Sequence, residues 1–181
     1  MASNTEHHDL PLPRFDAPVR LLAVIAPYYR AIADDLLAGA QAVAQAAGAQ
    51  LDVVEVPGAL EIPTAVTLAA RAGRYDGFAA LGCVIRGETT HYDTVCNDSS
   101  RALTLLGLQG LCIGNGILTV ETQAQAQVRA DPGGQNKGGG AVAAALHLIA
   151  LSRRWQPVPG RPAPQHDVIR LAGELEGQGK A

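Results

Sequence analysis

The sequence predicts an α/β fold, a three-layer α/β/α sandwich around a four-stranded parallel sheet. Three observations lead there. Short apolar runs of strand length alternate with longer segments in which apolar residues recur at helical spacing. The short runs are continuously apolar, the pattern of strands covered on both faces. Polar or glycine-containing turns follow the strands, and right-handed crossovers bring such turns to one edge of a parallel sheet.

Residues 1–18 hold Pro11, Pro13 and Pro18 and few core-forming side chains, so they read as an N-terminal arm, flexible or paired with a neighbouring subunit. The first strand is the apolar run 19–26. The helix 32–47 follows, with Ile32, Leu36, Leu37, Ala40, Val43 and Ala44 at helical spacing and Gly48 as its stop. Strand 51–56 ends at Pro57-Gly58. Helix 62–72 tolerates Pro63 in its first turn, where no backbone N–H is needed. Strand 77–85, helix 90–105 and strand 111–118 come next. A short helix, 122–130, is broken by Asp131-Pro132-Gly133-Gly134, and 138–155 is the last helix. This order is flavodoxin-like, with or without an added strand from the arm. The domain therefore spans 19–155. Residues 156–181 carry four prolines and read as a mobile tail, in which 168–175 is at most a marginal helix.

Hydrophobic residues make up 48% of the 181 positions and charged residues 17%, which suits one core-rich domain that also buries surface against its own copies. A net charge of −3 lacks the basic excess of a nucleic-acid binder. No apolar run approaches the roughly 20 residues of a membrane span. The polar start, with Glu6, His7, His8 and Asp9, is unlike a signal peptide, so a cytoplasmic location is expected. Cys83, Cys96 and Cys112 are odd in number and read as reduced thiols. His7, His8, His147 and His166 have no partners at ligand spacing, so no metal site is expected.

Tyr28-Tyr29, the stretch from Gly58 to Glu61, that from Arg86 to His91 and that from Asn115 to Glu121 all sit at strand ends and should gather at one edge. The densest cluster is Val84-Ile85-Arg86-Gly87-Glu88-Thr89-Thr90-His91-Tyr92-Asp93. Thr89 and Thr90 offer hydroxyls and free amides at a helix start, which attracts anions, and His91 follows within the first turn, able to move protons near neutral pH. The plainer alternative is a threonine cap with a surface histidine; the polar crowding at a strand end favours a site. In Val56-Pro57-Gly58-Ala59-Leu60-Glu61-Ile62-Pro63, the turn leaves the Ala59 and Leu60 amides for a planar ligand edge. Glu61 there is equally well a helix-start charge with no ligand. Arg129 and Lys137 flank the glycine-rich connection containing Gln135-Asn136, a grip for phosphate or a solvated pair. Tyr28 or Tyr29 can stack on a flat ring or pack at a subunit contact. Neither a phosphate-binding Walker loop nor a dinucleotide fingerprint is present.

At these motifs the chain resembles the lumazine synthase family, from about Val19 to Trp155. The likeness rests on the Val56 to Pro63 stretch, on Leu81-Gly82-Cys83 running into the cluster ending at Asp93, on Gly116-Ile117-Leu118-Thr119-Val120-Glu121 and on Asn136-Lys137-Gly138. Their order and spacing all fit. The resemblance implies condensation of 5-amino-6-(D-ribitylamino)uracil with 3,4-dihydroxy-2-butanone 4-phosphate, with neither metal nor organic cofactor. It makes His91 the proton-transfer residue and Arg129 the phosphate ligand, helped by Glu88-Thr89 and by Lys137. Tyr28 would stack on the pyrimidine. Ala59, Leu60, Glu61, Cys83, Val84 and Ile85 would line the uracil and ribityl site, with Asn115 beside it.

The resemblance also implies a homo-oligomer, a pentamer with its sites between subunits or twelve pentamers in an icosahedral shell. Tyr28, Glu61 and His91 would come from one subunit, Asn115 and Arg129 from its neighbour. Two departures stand out. Many relatives have an aromatic where this chain has Asn115, and several have an acid where it has Gly140. They lend weight to a second reading, a flavin- or lumazine-binding carrier with little turnover, and a third is a structural shell. The cluster of Glu61, Thr89, Thr90, His91, Arg129 and Lys137 favours the enzyme.

Overall fold

The computed structural model describes residues 10–155. Expectations for the start of the arm, for the tail after Trp155 and for His7, His8 and His166 lie outside the described residues. Nine elements follow one another: β1 (Arg20–Ile25), α1 (Arg30–Ala46), β2 (Gln50–Glu55), α2 (Ile62–Arg71), β3 (Gly77–Ile85), α3 (His91–Leu108), β4 (Ile113–Val120), α4 (Gln123–Ala130) and α5 (Lys137–Arg154). The strands form one parallel sheet in the order β2-β1-β3-β4.

Continuous apolar runs become the central strands because both faces of β1 and β3 are covered. Leu21, Ala23 and Ile25 point to α1 and α5, where Ala33, Ala40, Val142, Leu146 and Ile149 close one core. Leu22 and Val24 point the other way, to Ile62 and Val66 of α2 and Val95 and Leu103 of α3. A third cluster packs α4, through Ala126 and Ala130, under Ile32, Leu36 and Leu118. The outer strand β2 is mostly exposed, with Val53 and Val54 uncovered.

Helix α5 sits unusually close to its neighbours. A Cβ on Gly114 of β4 would overlap the carbonyl of Ala141, and one on Gly138 would overlap the carbonyl of Leu36 on α1. Asn136 sets the entry to α5 in the left-handed region, at φ 45°, and its Oδ1 accepts the N–H of Gly139 at 3.0 Å. Tight packing and this cap together place Lys137 at the start of α5.

Boundaries depart from expectation where pairing overrides local composition. β4 runs to Val120 rather than Leu118, because Thr119 and Val120 pair with Val84 and Ile85. Asn115 is therefore the third residue of β4, opposite Ala80, and not at the strand's carboxyl end. Helix α3 continues through Gly107 to Leu108, and the chain turns only at Gly110, where φ is 93°. Residues 10–19 form no strand within this chain. Leu12 and Phe15 pack on the α1–α5 core, and Arg153 donates to the carbonyls of Ala17 (3.2 Å) and Pro18 (3.0 Å). No described helix is long and apolar enough to cross a membrane.

Candidate active site

Neighbouring strands β1 and β3 send their connections in opposite directions, β1 toward β2 and β3 toward β4. The loops after them part at the carboxyl edge and leave a crevice, the usual ligand position in such sheets. A cavity of about 600 Å³ opens there, bordered by the loops after β1, β2 and β3.

The loop after β1 contributes Tyr28 and Tyr29, packed edge to face with ring centroids 5.0 Å apart. Tyr28 is 76% exposed, so one face of its ring is free at the cavity mouth. The loop after β2 contributes Pro57, Gly58, Ala59, Leu60 and Glu61. Its own hydrogen bonds run from Glu61 N–H to the Gly58 carbonyl (3.2 Å) and from Ile62 N–H to the Ala59 carbonyl (3.4 Å). Among the described residues, no acceptor reaches the Ala59 or Leu60 N–H. Glu61 stands at the start of α2 without a capping hydrogen bond, so its carboxylate is uncommitted among the described residues.

Strand β3 supplies the floor, Cys83, Val84 and Ile85. Burial, with a smaller contribution from Cys96, pushes the Cys83 thiol up to about 11, so it is neutral at physiological pH. Burial also raises Tyr29, helped by the nearby Tyr28 and Cys83, and keeps its phenol protonated. Beyond β3, Gly87, Thr89, His91 and Tyr92 border the cavity. Thr90 begins α3 but its side chain makes no capping bond, which sets aside the plain capping explanation for that hydroxyl.

Tyr28, Ala59, Leu60, Glu61, Cys83, Val84, Ile85, Thr89 and His91 thus share one cavity. Glu88 is exposed on the same turn but does not line it. Arg129, in the last turn of α4, donates to the Gln125 carbonyl at 3.1 Å, and Lys137 is exposed at the start of α5. Neither they nor Asn115 border the cavity within one chain. Asn115 is exposed on the outer strand, and its Oδ1 accepts the Ile117 N–H at 3.0 Å.

Sequence reasoning left Tyr92 and Arg86 without a role, although both stand in the densest motif. Tyr92 lines the cavity, and the Arg86 guanidinium lies 4.0 Å from its ring centroid. Arg86 also pairs with Glu121 and Asp93. Its adjacency to the motif was a signal, but its partners were not readable without strand register.

The arrangement can hold a flat, polar ring against Tyr28 and the free amides, with a histidine at hand to move protons. Comparison with known proteins points the same way. A family model described as 6,7-dimethyl-8-ribityllumazine synthase matches residues 18–153. A protein with that name from Jannaschia sp. (strain CCS1) is 59% identical over 155 residues, 86% of each chain. Relatives of the same name from Methylobacterium radiotolerans and Novosphingobium aromaticivorans are 54% and 52% identical, over 84% and 75% of this chain and 95% and 98% of theirs.

Proposed function

Because the chain belongs to the 6,7-dimethyl-8-ribityllumazine synthase family, we propose that this transferase of riboflavin biosynthesis condenses 5-amino-6-(D-ribitylamino)uracil with 3,4-dihydroxy-2-butanone 4-phosphate. The observation that carries the reading is the convergence of three loops on one cavity holding Tyr28, the Ala59 and Leu60 amides, Glu61, Thr89 and His91.

An amine of the uracil attacks the ketone, and loss of water gives a Schiff base. Phosphate then leaves, and the second amine closes the ring with loss of another water. Tyr28 stacks on the pyrimidine, while the Ala59 and Leu60 amides donate to its carbonyl edge. Cys83 shapes the floor as a neutral thiol and is no nucleophile, consistent with burial raising its pKa to about 11. His91 carries protons to and from the reacting amines and oxygens. Most of the acceleration comes from holding two reactants together, since the first step joins two molecules and the rest are intramolecular additions, eliminations and proton transfers. No metal or organic cofactor enters these steps.

Phosphate recognition needs a cation, and among the described residues no lysine or arginine lines the cavity. Arg129 and Lys137 stand on α4 and α5, outside it. A neighbouring copy supplies them, with Asn115, and meets the Thr89 turn of the first. This supports a homo-oligomer with its sites between subunits.

The test is direct. Purified protein is mixed with both substrates and lumazine fluorescence followed against an enzyme-free control. Formation above control that falls on Arg129→Ala is expected. A folded oligomer that binds lumazine or riboflavin without exceeding the control would move the assignment to a flavin-binding carrier.

A further inference from the structure

We propose that Arg86 is a positioning residue that holds the turn at 87–90, and with it Thr89 and His91, in working geometry; the role rests on the reaction assigned above. Arg86 follows β3, and its own N–H donates to the Val120 carbonyl at 2.9 Å. Its guanidinium then reaches two further elements. Nε donates to Glu121 Oε2 at 2.8 Å, beyond the end of β4, and Nη2 donates to Asp93 Oδ1 at 3.2 Å, in the first turn of α3. The same planar group lies 4.0 Å from the ring centroid of Tyr92. Glu121 is itself anchored, since its N–H donates to Gln125 Oε1 at 2.9 Å.

The turn that Arg86 spans has little to hold it otherwise. Among the described residues, no hydrogen bond reaches the N–H of Gly87, Glu88 or Thr89, and the Thr90 side chain does not cap α3. Those free groups are the ones a phosphate would use, and a turn whose first three N–H groups make no bonds must be held at its ends. Arg86 is one end, and Asp93 lies just past the other. An isolated ion pair at this exposure contributes little. Here two carboxylates from different elements and one aromatic face converge on a single planar fork, an arrangement lysine cannot reproduce. Arg86 does not border the cavity, so it acts through the turn.

Steady-state kinetics and amide exchange on the full-length assembled protein test this. In Arg86→Ala, KM for the butanone phosphate should rise about tenfold, below the ~100-fold that a 1 Å misplacement can cost, and kcat should fall several-fold. KM for the ribitylaminouracil should stay within about twofold, because its ligands sit on the loops after β1 and β2 and on β3 itself, which sheet pairing holds ahead of the turn. Adding Arg86→Ala to His91→Ala should lower kcat little further. Hydrogen exchange should quicken at the hydrogen-bonded amides that frame the turn, those of Arg86, Asp93 and Thr94, and stay unchanged in α1 and α5. Glu121→Gln should give the same pattern more weakly. Unchanged exchange at those three amides would overturn the proposal, and so would both KM values rising together with exchange quickening throughout the chain. Because exchange is read without substrate, a wild-type protein that forms no lumazine sinks the assigned reaction while the exchange still decides the role of Arg86.

Discussion

His91 is the first residue of α3 and lies exposed beside the cavity, and the role proposed for it is proton transfer added to binding. General acid–base help at its low end is about 10²-fold. His91→Ala should therefore lower kcat by roughly 10²-fold and leave activity above the uncatalysed rate; a folded variant with none would contradict the role. Cys83 gives a prediction with a definite sign. Burial, then Cys96, raises its thiol from 9.0 to about 11, so the folded chain binds more protons than the unfolded chain across that interval. Its burial costs nothing electrostatic below pH 9.0, and stability falls as the pH rises from there through about 11. Denaturant midpoints between pH 9 and 11 should drop more steeply for the wild type than for Cys83→Ala. The two residues also mark what was legible. A histidine and threonines after an apolar run stand out against their surroundings, so His91 and Thr89 were readable. Glu121, 35 residues from Arg86, became its partner only through the β3–β4 register.

Elements were readable wherever apolar spacing alone decides them. β3 coincides with its apolar run because strands on both sides and helices on both faces demand it. β4 was misplaced because its interior holds Gly114, Asn115 and Gly116, poor strand formers, the two glycines being tolerated there for the room they give α5. The same packing makes the entry to α5 a testable joint. Asn136 both adopts the left-handed conformation and caps the helix through Gly139. Asn136→Ala loses a cap worth ~1 kcal/mol and strains a backbone that alanine avoids by ~1–2 kcal/mol. A loss of about 2–3 kcal/mol is expected in chemical unfolding, with Asn136→Gly losing less because glycine accepts the positive φ. Equal losses in the two variants would show that only the cap matters.

At the scale of the molecule, the chain leaves apolar surface uncovered where a soluble monomer has no use for it. Val53 and Val54 lie on the open strand β2, Leu105 and Leu108 on α3, and Val128 adjoins Arg129 on α4, all at least 39% exposed. The proposed neighbouring copy, bringing its Arg129 to the first copy's His91 and covering the apolar patches, would account for the cavity without a cation and for this surface together. The residue types were legible in the sequence, whereas their division between two copies came from the family resemblance alone and stands as a proposal, since order along the chain carries no distance. Light scattering should show an oligomer, and a monomer would remove the basis for shared sites. Mixed assembly is the sharper measurement. His91→Ala and Arg129→Ala proteins, unfolded together and refolded at equal amounts, should regain about a quarter of wild-type activity, because random pairing leaves about one interface in four with both residues intact. The same proteins refolded apart and then mixed should stay at the level of the single variants. If a site were complete within one chain, co-refolding would restore nothing, and the cation for the phosphate would have to come from elsewhere in the same subunit.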